Sequence, residues 1–385
     1  VYTDLKTTLV LGWGPRRPSQ RRAPAVRRRG YFCGMADAPS PNASDDSLFM
    51  RRALDLALRG TGYARPNPLV GCVVTHGGRI IGEGWHQQYG GPHAEVNAVA
   101  SVADKSLLAE SRVFVTLEPC AHHGKTPPCA DLLIAHGVPE VVVCNDDPFP
   151  LVAGRGNAKL RAAGALVSTG LLAAEGRWLN RRFFTFHEKK RPYLVLKWAE
   201  TADGFLAGRY FQPVAISGPQ ARLLTHQWRA EEQAILVGTR TALHDNPHLN
   251  VRDWPGPDPL RVVLDKNLCL PPTHHVLDGQ QPTLFYTYRQ RADAPNRAYA
   301  TLTEADDLMP QILADLWQRQ VQSVLVEGGP TVLNALLHAG LWDEIRIFRS
   351  PRKLGAGVAA PRLGFSGLQS VENVGDDQLF RYLNE

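Results

Sequence analysis

Residues 90–99, GGPHAEVNAV, set an imidazole and a carboxylate two positions apart at the mouth of an apolar, helix-like run. On a regular helix, residues two apart point about 200° away from each other. His93 and Glu95 can therefore share a site only if His93 stands at the helix entry, where the backbone is still turning. Gly90, Gly91 and Pro92 supply that turn, and Glu95 then falls in the first helical turn. Taken singly, His93 reads as a capping or surface histidine and Glu95 as an acid favoured by the helix dipole. Chemistry needs partners from elsewhere in the chain.

Two cysteines provide them. Cys120 and Cys129 flank the polar loop AHHGKTPP. With His93 they offer one nitrogen and two sulfurs, a donor set suited to tetrahedral Zn²⁺, and three protein ligands leave the fourth position open as catalytic sites do. A closed structural site would need His122 or His123 as a fourth ligand. Glu95, beside the metal but not bound to it, is placed to carry a proton. The H-x-E and P-C elements match the signature of zinc deaminases, in which the glutamate is the general acid and base. That signature has two residues between its cysteines; here there are eight. An insertion between two ligands lies at the rim of a site, so His122 and Lys125 are suited to meet a phosphate or ribose.

The whole chain bounds this reading. At 385 residues it has room for two domains with their own cores, and its hydrophobic and charged contents, 44% and 21%, are those of an ordinary globular protein. No stretch approaches the roughly 18 unbroken apolar residues of a membrane helix. The net charge of +6 is local: residues 1–34 hold Lys6 and seven arginines against Asp4, a charge of +7 that leaves −1 on the remainder. A nucleic-acid surface is unsupported in the body, which disfavours a nucleic-acid base deaminase. The leader lacks the apolar run of a secretory signal and, although Arg-rich like a transit peptide, contains one serine, Ser19. Residues 1–44 read as a basic leader, with 1–34 disordered or upstream of a true start at Met35. Six cysteines (33, 72, 120, 129, 144 and 269) are too few and irregular for a disulfide framework; Cys72 and Cys144, in apolar runs, read as buried strand residues.

Strand-like and helix-like runs alternate twice. Asp45 or Asp46 is placed to cap a helix ending at Gly60, followed by strands LVGCVVT and RIIGEGWH, the helix through Ala100, the strand RVFVTLE, the helix ADLLIAHG, the strand EVVVCND and the helix GNAKLRAAG. This predicts a layered α/β domain with helices on both faces. The charged segment HEKKRP (187–192) reads as a linker. Beyond it, YLVLKWAE, AILVG, LRVVLD, TLFYT, QSVLVEGG and EIRIFRS read as strands. No G-x-G-x-x-G dinucleotide fingerprint is present. In VLVEGGPTVLNALL a strand ends at Glu327 and a helix starts at Pro330 or Thr331, which favours a phosphate there; a plain tight turn is the alternative.

Several stretches together resemble the bifunctional deaminase/reductase family of riboflavin biosynthesis. RPNPLVGCVV, GEGWHQQYGGPHAEVNAV, VTLEPCAHHGKTPPC and DPFPLVAGRG resemble its deaminase half; RPYLVLKWAETADG, RAEEQAILVGTRTALHDNPHLNVR, PLRVVLDKNL and LVEGGPTVLNALLHAGLWDEI resemble its reductase half. The resemblance implies a cytidine deaminase-like three-layer α/β/α domain over 45–190 and a dihydrofolate reductase-like α/β domain over 191–385. It implies Zn²⁺ and NADPH, a cytoplasmic enzyme, hydrolytic deamination of 2,5-diamino-6-(5-phosphoribosylamino)pyrimidin-4-one, and then reduction of its ribosyl group to ribityl. Carried over by position, Asn67, His122 and Lys125 meet the first substrate; Leu249, Arg252 and Glu327 meet the second; and Ala199, Thr241, Asp245, Lys266, Gly329, Pro330 and Thr331 meet NADPH. Small phosphoribosylated pyrimidines are the implied partners, with neither nucleic acid nor membrane, and a homo-oligomer is left open. The chain departs from the family pattern at Phe205, Pro213, Ala215 and Asn246. Loss of an aromatic wall at Ala215 weakens stacking, so a deaminase with a non-catalytic second domain is the alternative.

Overall fold

A computed structural model describes residues 43–121, 127–149, 153–364 and 366–384. The Arg-rich leader and two of the expected substrate contacts, His122 and Lys125, lie outside the described residues. By its internal contacts the chain divides into two compact units, Val1–Phe184 and Thr185–Glu385.

In the first unit five strands, β1 (Gly71–His76), β2 (Arg79–Trp85), β3 (Arg112–Val115), β4 (Glu140–Val143) and β5 (Leu166–Thr169), form one sheet in the order β2-β1-β3-β4-β5. β1 runs antiparallel to β2 and β3, and β3, β4 and β5 are parallel. Side chains alternate across a strand, and both sets are apolar here. Cys72, Val74, Val113, Val115, Val141 and Val143 pack on one face with residues of α2 (Ala94–Ser101), α3 (Cys129–Ala135) and α4 (Arg155–Ala162). Val73, Phe114 and Val142 pack on the other with α1 (Ala43–Ala57) and Leu179 of α5 (Ala173–Leu179). This is the three-layer α/β/α fold. Cys72 and Cys144 are buried, as their apolar settings imply.

Local details correct the sequence reading. α1 begins at Ala43, so Asp45 and Asp46 lie in its first turn and do not cap it. Asp46 instead takes a bidentate pair from Arg112 at 2.6 and 2.8 Å. β5 and α5 were not read from the sequence, and α6 (Arg181–Glu188) takes up the start of the segment read as a linker.

The second unit holds a nine-stranded sheet in the order β11-β10-β9-β8-β12-β6-β13-β16-β15. Its members are β6 (Tyr193–Thr201), β8 (Ala234–Gly238), β9 (Leu260–Leu264), β10 (Thr283–Thr287), β11 (Arg297–Thr301), β12 (Ser323–Val326), β13 (Glu344–Ser350), β15 (Leu368–Val374) and β16 (Asp377–Leu383). The strands from β11 to β13 are parallel, and β16 and β15 close one edge antiparallel. β7 (Phe205–Ala207) pairs with β14 (Val358–Ala359) outside this sheet. Helices α7 (Pro219–Glu231), α8 (Thr239–Asp245), α9 (Leu308–Gln318) and α10 (Pro330–His338) complete this mixed α/β unit. The sequence reading missed the short strands β7 and β14, and also β11, β15 and β16, whose outward faces carry polar residues and blur the apolar pattern. Among the described residues no helix is long and apolar enough to cross a membrane.

Candidate active sites

In the first unit β2 brings α2 unusually close. A Cβ at Gly84 would lie 2.3 Å from Ala98 N and 2.5 Å from Ala94 O, so only glycine lets the helix lie on this strand. The chain turns through Gly90 at φ +77°, and His93 is the extended residue that precedes α2. The geometry required for an H-x-E pair is therefore present: His93 before the first turn, Glu95 within it.

Cys120 follows β3, and Cys129 opens α3. His93 Nδ1 lies 3.6 Å from Cys120 Sγ and 3.3 Å from Cys129 Sγ, and the three donor atoms fall within 4.8 Å of one another. A tetrahedral zinc with Zn–N of about 2.0 Å and Zn–S of about 2.3 Å spaces its nitrogen and sulfur ligands by about 3.5 Å. The donors therefore fit zinc in chemistry and spacing. The Cys129 backbone N–H donates to Cys120 Sγ at 3.3 Å, which favours thiolate there. Cys120 ionises far more readily than an ordinary thiol, with the Cys129 thiol the leading cause and His93 a further one.

Glu95 is almost fully buried, and burial raises its pKa, opposed by the neighbouring His93. A carboxyl that holds its proton more firmly than usual suits a group that must both take and give one.

Two residues that sequence reasoning missed support this centre. His86 is buried, with Nδ1 3.0 Å from Pro92 O and Nε2 3.0 Å from Asn67 Nδ2. Glu118, just before Pro119 and Cys120, accepts four backbone N–H groups: Gly156 and Asn157 on Oε1, Asp147 and Gly154 on Oε2. It ties the start of α4 to the strand end that carries a metal ligand. The local signal for both was polarity beside a motif, which many surface residues share.

In the second unit a cleft of about 690 Å³ opens at the carboxyl ends of β6, β8, β9 and β12. Ligands of parallel α/β sheets bind at this end of the strands. Ala199, Thr241, Asp245, Arg252, Lys266, Glu327, Gly329, Pro330 and Thr331 all line it. Leu249 does not: its side chain is buried against Ile235, Val237 and Val263, with its backbone at φ +55°. The two glycines after Glu327 have a packing reason. A Cβ on Gly328 would stand 3.0 Å from Val332 Cβ, and one on Gly329 would stand 3.2 Å from Thr241 Oγ1. Ala215 lines the cleft without an aromatic ring, yet Phe211 supplies one there and stacks on His244 at 5.3 Å.

Charge in the cleft is arranged by pairs. Arg229 donates to both oxygens of Glu327 at 2.8 and 2.9 Å, and Lys197 Nζ lies 3.8 Å from the same carboxylate. Burial by itself would raise the Glu327 pKa, but Arg229 and Lys197 together hold it down at about 2. Arg222 pairs with Asp253 at 2.8 Å. Arg252 has no carboxylate partner among the described residues; its side chain donates to Asn250 Oδ1, and its backbone N–H donates to His226 Nδ1 at 3.2 Å. Burial lowers the Arg252 pKa, helped by Arg229 and Arg222. An arginine among arginines, without its own acid, is a place for an anion.

Comparisons with known proteins match a separate family model to each part of the chain. Residues 43–145 match the cytidine and deoxycytidylate deaminase zinc-binding region, and residues 192–380 match the RibD C-terminal domain. Riboflavin biosynthesis protein RibD of Aquifex aeolicus is 39% identical over 345 residues, covering 86% of this chain and 96% of its own length. The chain belongs to the RibD family. The Escherichia coli RibD is 38% identical over 360 residues, with 88% and 95% of the two chains covered. Among solved structures, Acinetobacter baumannii RibD matches with a TM-score of 0.82 at 34% identity, over 89% of this chain and 99% of that one. A Thermotoga maritima structure described as a diaminohydroxyphosphoribosylaminopyrimidine deaminase/5-amino-6-(5-phosphoribosylamino)uracil reductase also matches at 0.82, with 35% identity over 89% and 100%. The RibD family assigns zinc to the first unit and NADPH to the second.

Proposed function

We propose that the chain carries out two consecutive steps of riboflavin biosynthesis. The first is hydrolytic deamination of 2,5-diamino-6-(5-phosphoribosylamino)pyrimidin-4-one; the second is NADPH-dependent reduction of the product's ribosyl group to ribityl. The observation that carries this reading is that one RibD-family chain holds both a His-Cys-Cys donor set beside a buried glutamate and a cationic cleft at the ends of parallel strands. Residues 45–190 form the deaminase in this reading and 191–385 the reductase, after a leader of residues 1–44.

In the first domain His93, Cys120 and Cys129 hold zinc. When bound, zinc supplies the Lewis acidity that makes water a nucleophile near neutral pH. Glu95 takes a proton from the attacking water and passes it to the ring nitrogen; it then takes the second proton from the new hydroxyl as the carbonyl forms and delivers it to the departing amine, which leaves as ammonia. Asn67, His122 and Lys125 orient the pyrimidine and its phosphoribosyl group.

In the second domain Ala199, Thr241, Asp245, Gly329, Pro330 and Thr331 position NADPH, which supplies the hydride when bound. Lys266 adds positive charge for its 2′-phosphate. Arg252 takes the substrate phosphate and Glu327 orients Arg229 beside it, while Leu249 contributes through its backbone. We place the enzyme in the cytoplasm, where free thiols and NADPH are maintained, acting on small phosphorylated pyrimidines with neither nucleic acid nor membrane as partner.

The test is NADPH oxidation by the purified protein. Oxidation is expected with the diamino substrate and with the separately deaminated one. Glu95→Gln is expected to stop the first, leave the second, and retain zinc. A parent protein that oxidises no NADPH on the deaminated substrate overturns the reductase assignment; full deamination by Glu95→Gln overturns the role of Glu95.

A further inference from the structure

A second cluster of metal-ligating side chains lies in the reductase unit, apart from the cysteines. The donor atoms of His248, His275 and Asp278 all fall within 4.8 Å of one another, and all three residues are exposed or half-buried. The two imidazoles face each other with ring centroids 3.6 Å apart and planes 25° from parallel. No ring nitrogen of either histidine has a hydrogen-bond partner among the described residues. Asp278 accepts from Arg261 Nη2 at 2.9 Å and from the Gln280 N–H at 2.8 Å, both on Oδ1. Its Oδ2 is thus unengaged among the described residues.

The surroundings hold these donors in place. Arg261 is buried; its Nη1 donates to His275 O at 2.6 Å, its Nε to Thr283 Oγ1 at 2.8 Å, and its Nη2 to Gln281 O at 2.9 Å. The His275 N–H donates to Asn246 Oδ1 at 2.8 Å, and Asn246 adopts a left-handed backbone at φ +39°. Both backbone polar groups of His275 are therefore tied down. His248 stands immediately before Leu249, whose side chain is buried in the core. A supporting shell of this kind separates a built site from a chance meeting of surface side chains.

We propose that His248, His275 and Asp278 form a second metal site, for a divalent transition cation of the Zn²⁺, Ni²⁺ or Cu²⁺ class. Two imidazoles and one carboxylate suit these borderline ions, whereas Mg²⁺ and Ca²⁺ favour oxygen ligands throughout. Each imidazole binds a metal through the lone pair of a ring nitrogen, which it offers in its neutral form. Three protein donors leave positions for water, so the ion exchanges with solvent. The site joins the connection after α8 to the turn at His275–Leu277, and that connection continues to Arg252 in the cleft. Occupancy fastens the segment that brings Arg252 to the substrate.

Zinc per chain, measured after equilibrium dialysis of the full-length protein against Zn²⁺, tests this directly. Parent protein is expected to hold one more zinc per chain than His248→Ala, and one more than Asp278→Asn. The difference does not depend on the deaminase zinc, which contributes equally to all three. Thermal denaturation supplies a second readout: added Zn²⁺ should raise the parent melting temperature more than that of either variant. Equal zinc content in the parent and both variants overturns the proposal. So does a Zn²⁺-induced melting shift as large in both variants as in the parent.

Discussion

His86 Nε2 and Asn67 Nδ2 lie 3.0 Å apart, and this contact decides which end of the Asn67 amide is left for a ligand. Pro92 O, 3.0 Å from His86 Nδ1, can only accept, so Nδ1 carries the ring proton. Burial lowers the His86 pKa and so favours the neutral ring, in which Nε2 accepts and Asn67 presents its NH₂ group. Asn67 Oδ1, buried and without a partner among the described residues, is then left to accept from a ligand.

Asn67→Ala should therefore raise KM for deamination about tenfold, the cost of one lost hydrogen bond at a buried site. His86→Phe should produce a similar rise by releasing the Asn67 amide. Steady-state kinetics with metal analysis checks both, since zinc content should stay at the parental level. An unchanged KM in both variants would sink the assignment of Asn67 as a substrate contact.

Removing the Glu118 carboxylate leaves four backbone N–H groups without their acceptor. Glu118→Ala should cost about 2–4 kcal/mol of stability in the deaminase unit and weaken zinc retention at Cys120. Glu118→Gln should rescue little, because its NH₂ would face donors on one of the two sides. Denaturant unfolding monitored with zinc release tests this; a fully stable Gln variant contradicts it.

Acid should destabilise the reductase unit in two overlapping windows. His226 is buried, and burial, with Arg229 and Arg252 nearby, lowers its pKa from 6.5 to about 4. Its unfolded form binds the proton more readily, so stability is full above 6.5 and falls as pH drops through about 4. Glu327, lowered from 4.5 to about 2, contributes stability that is full above 4.5 and is lost as pH falls towards 2. His226→Gln should flatten the stability profile between pH 6.5 and 4, and Glu327→Gln should flatten it below 4.5. Urea midpoints measured across this range check both slopes.

Arg252→Gln should raise KM for the phosphoribosyl substrate by about 10–100-fold, the effect of one charge-assisted contact. NADPH affinity and deamination should not change. Binding of NADPH measured by fluorescence, beside the two steady-state assays, separates these effects. A loss of NADPH affinity equal to the loss for substrate would move Arg252 to the cofactor.

Much of the first site was legible in sequence because its chemistry is local. GGP before His93 announces a turn, H-x-E needs that turn, and P-C places a sulfur after a strand; each signal rests on neighbouring residues. The central strands of the first unit were legible for the same reason, since a sheet covered on both faces gives short continuous apolar runs. Linear reading misplaced the start of α1, where acids in the first turn resemble a cap, and passed over the polar edge strand β15 and its neighbour β16.

What only the tertiary structure decided are relationships across sequence distance. The acceptor end of Asn67 depends on a histidine and a proline carbonyl brought to it by β2 and its turn. Glu118 has four partners because a helix start folds back onto a strand end, and Leu249 is turned into the core by a left-handed backbone that its neighbours do not announce. Arg252 differs from its neighbours Arg222 and Arg229 in lacking an acid among the described residues. His248, His275 and Asp278 become one cluster through a buried arginine, Arg261, that no spacing in the sequence connects to them. Residue type and local order specify which chemistry is available; the packing of distant segments sets which atoms face each other, because hydrogen bonds and charge pairs depend on angstroms of separation and not on position along the chain.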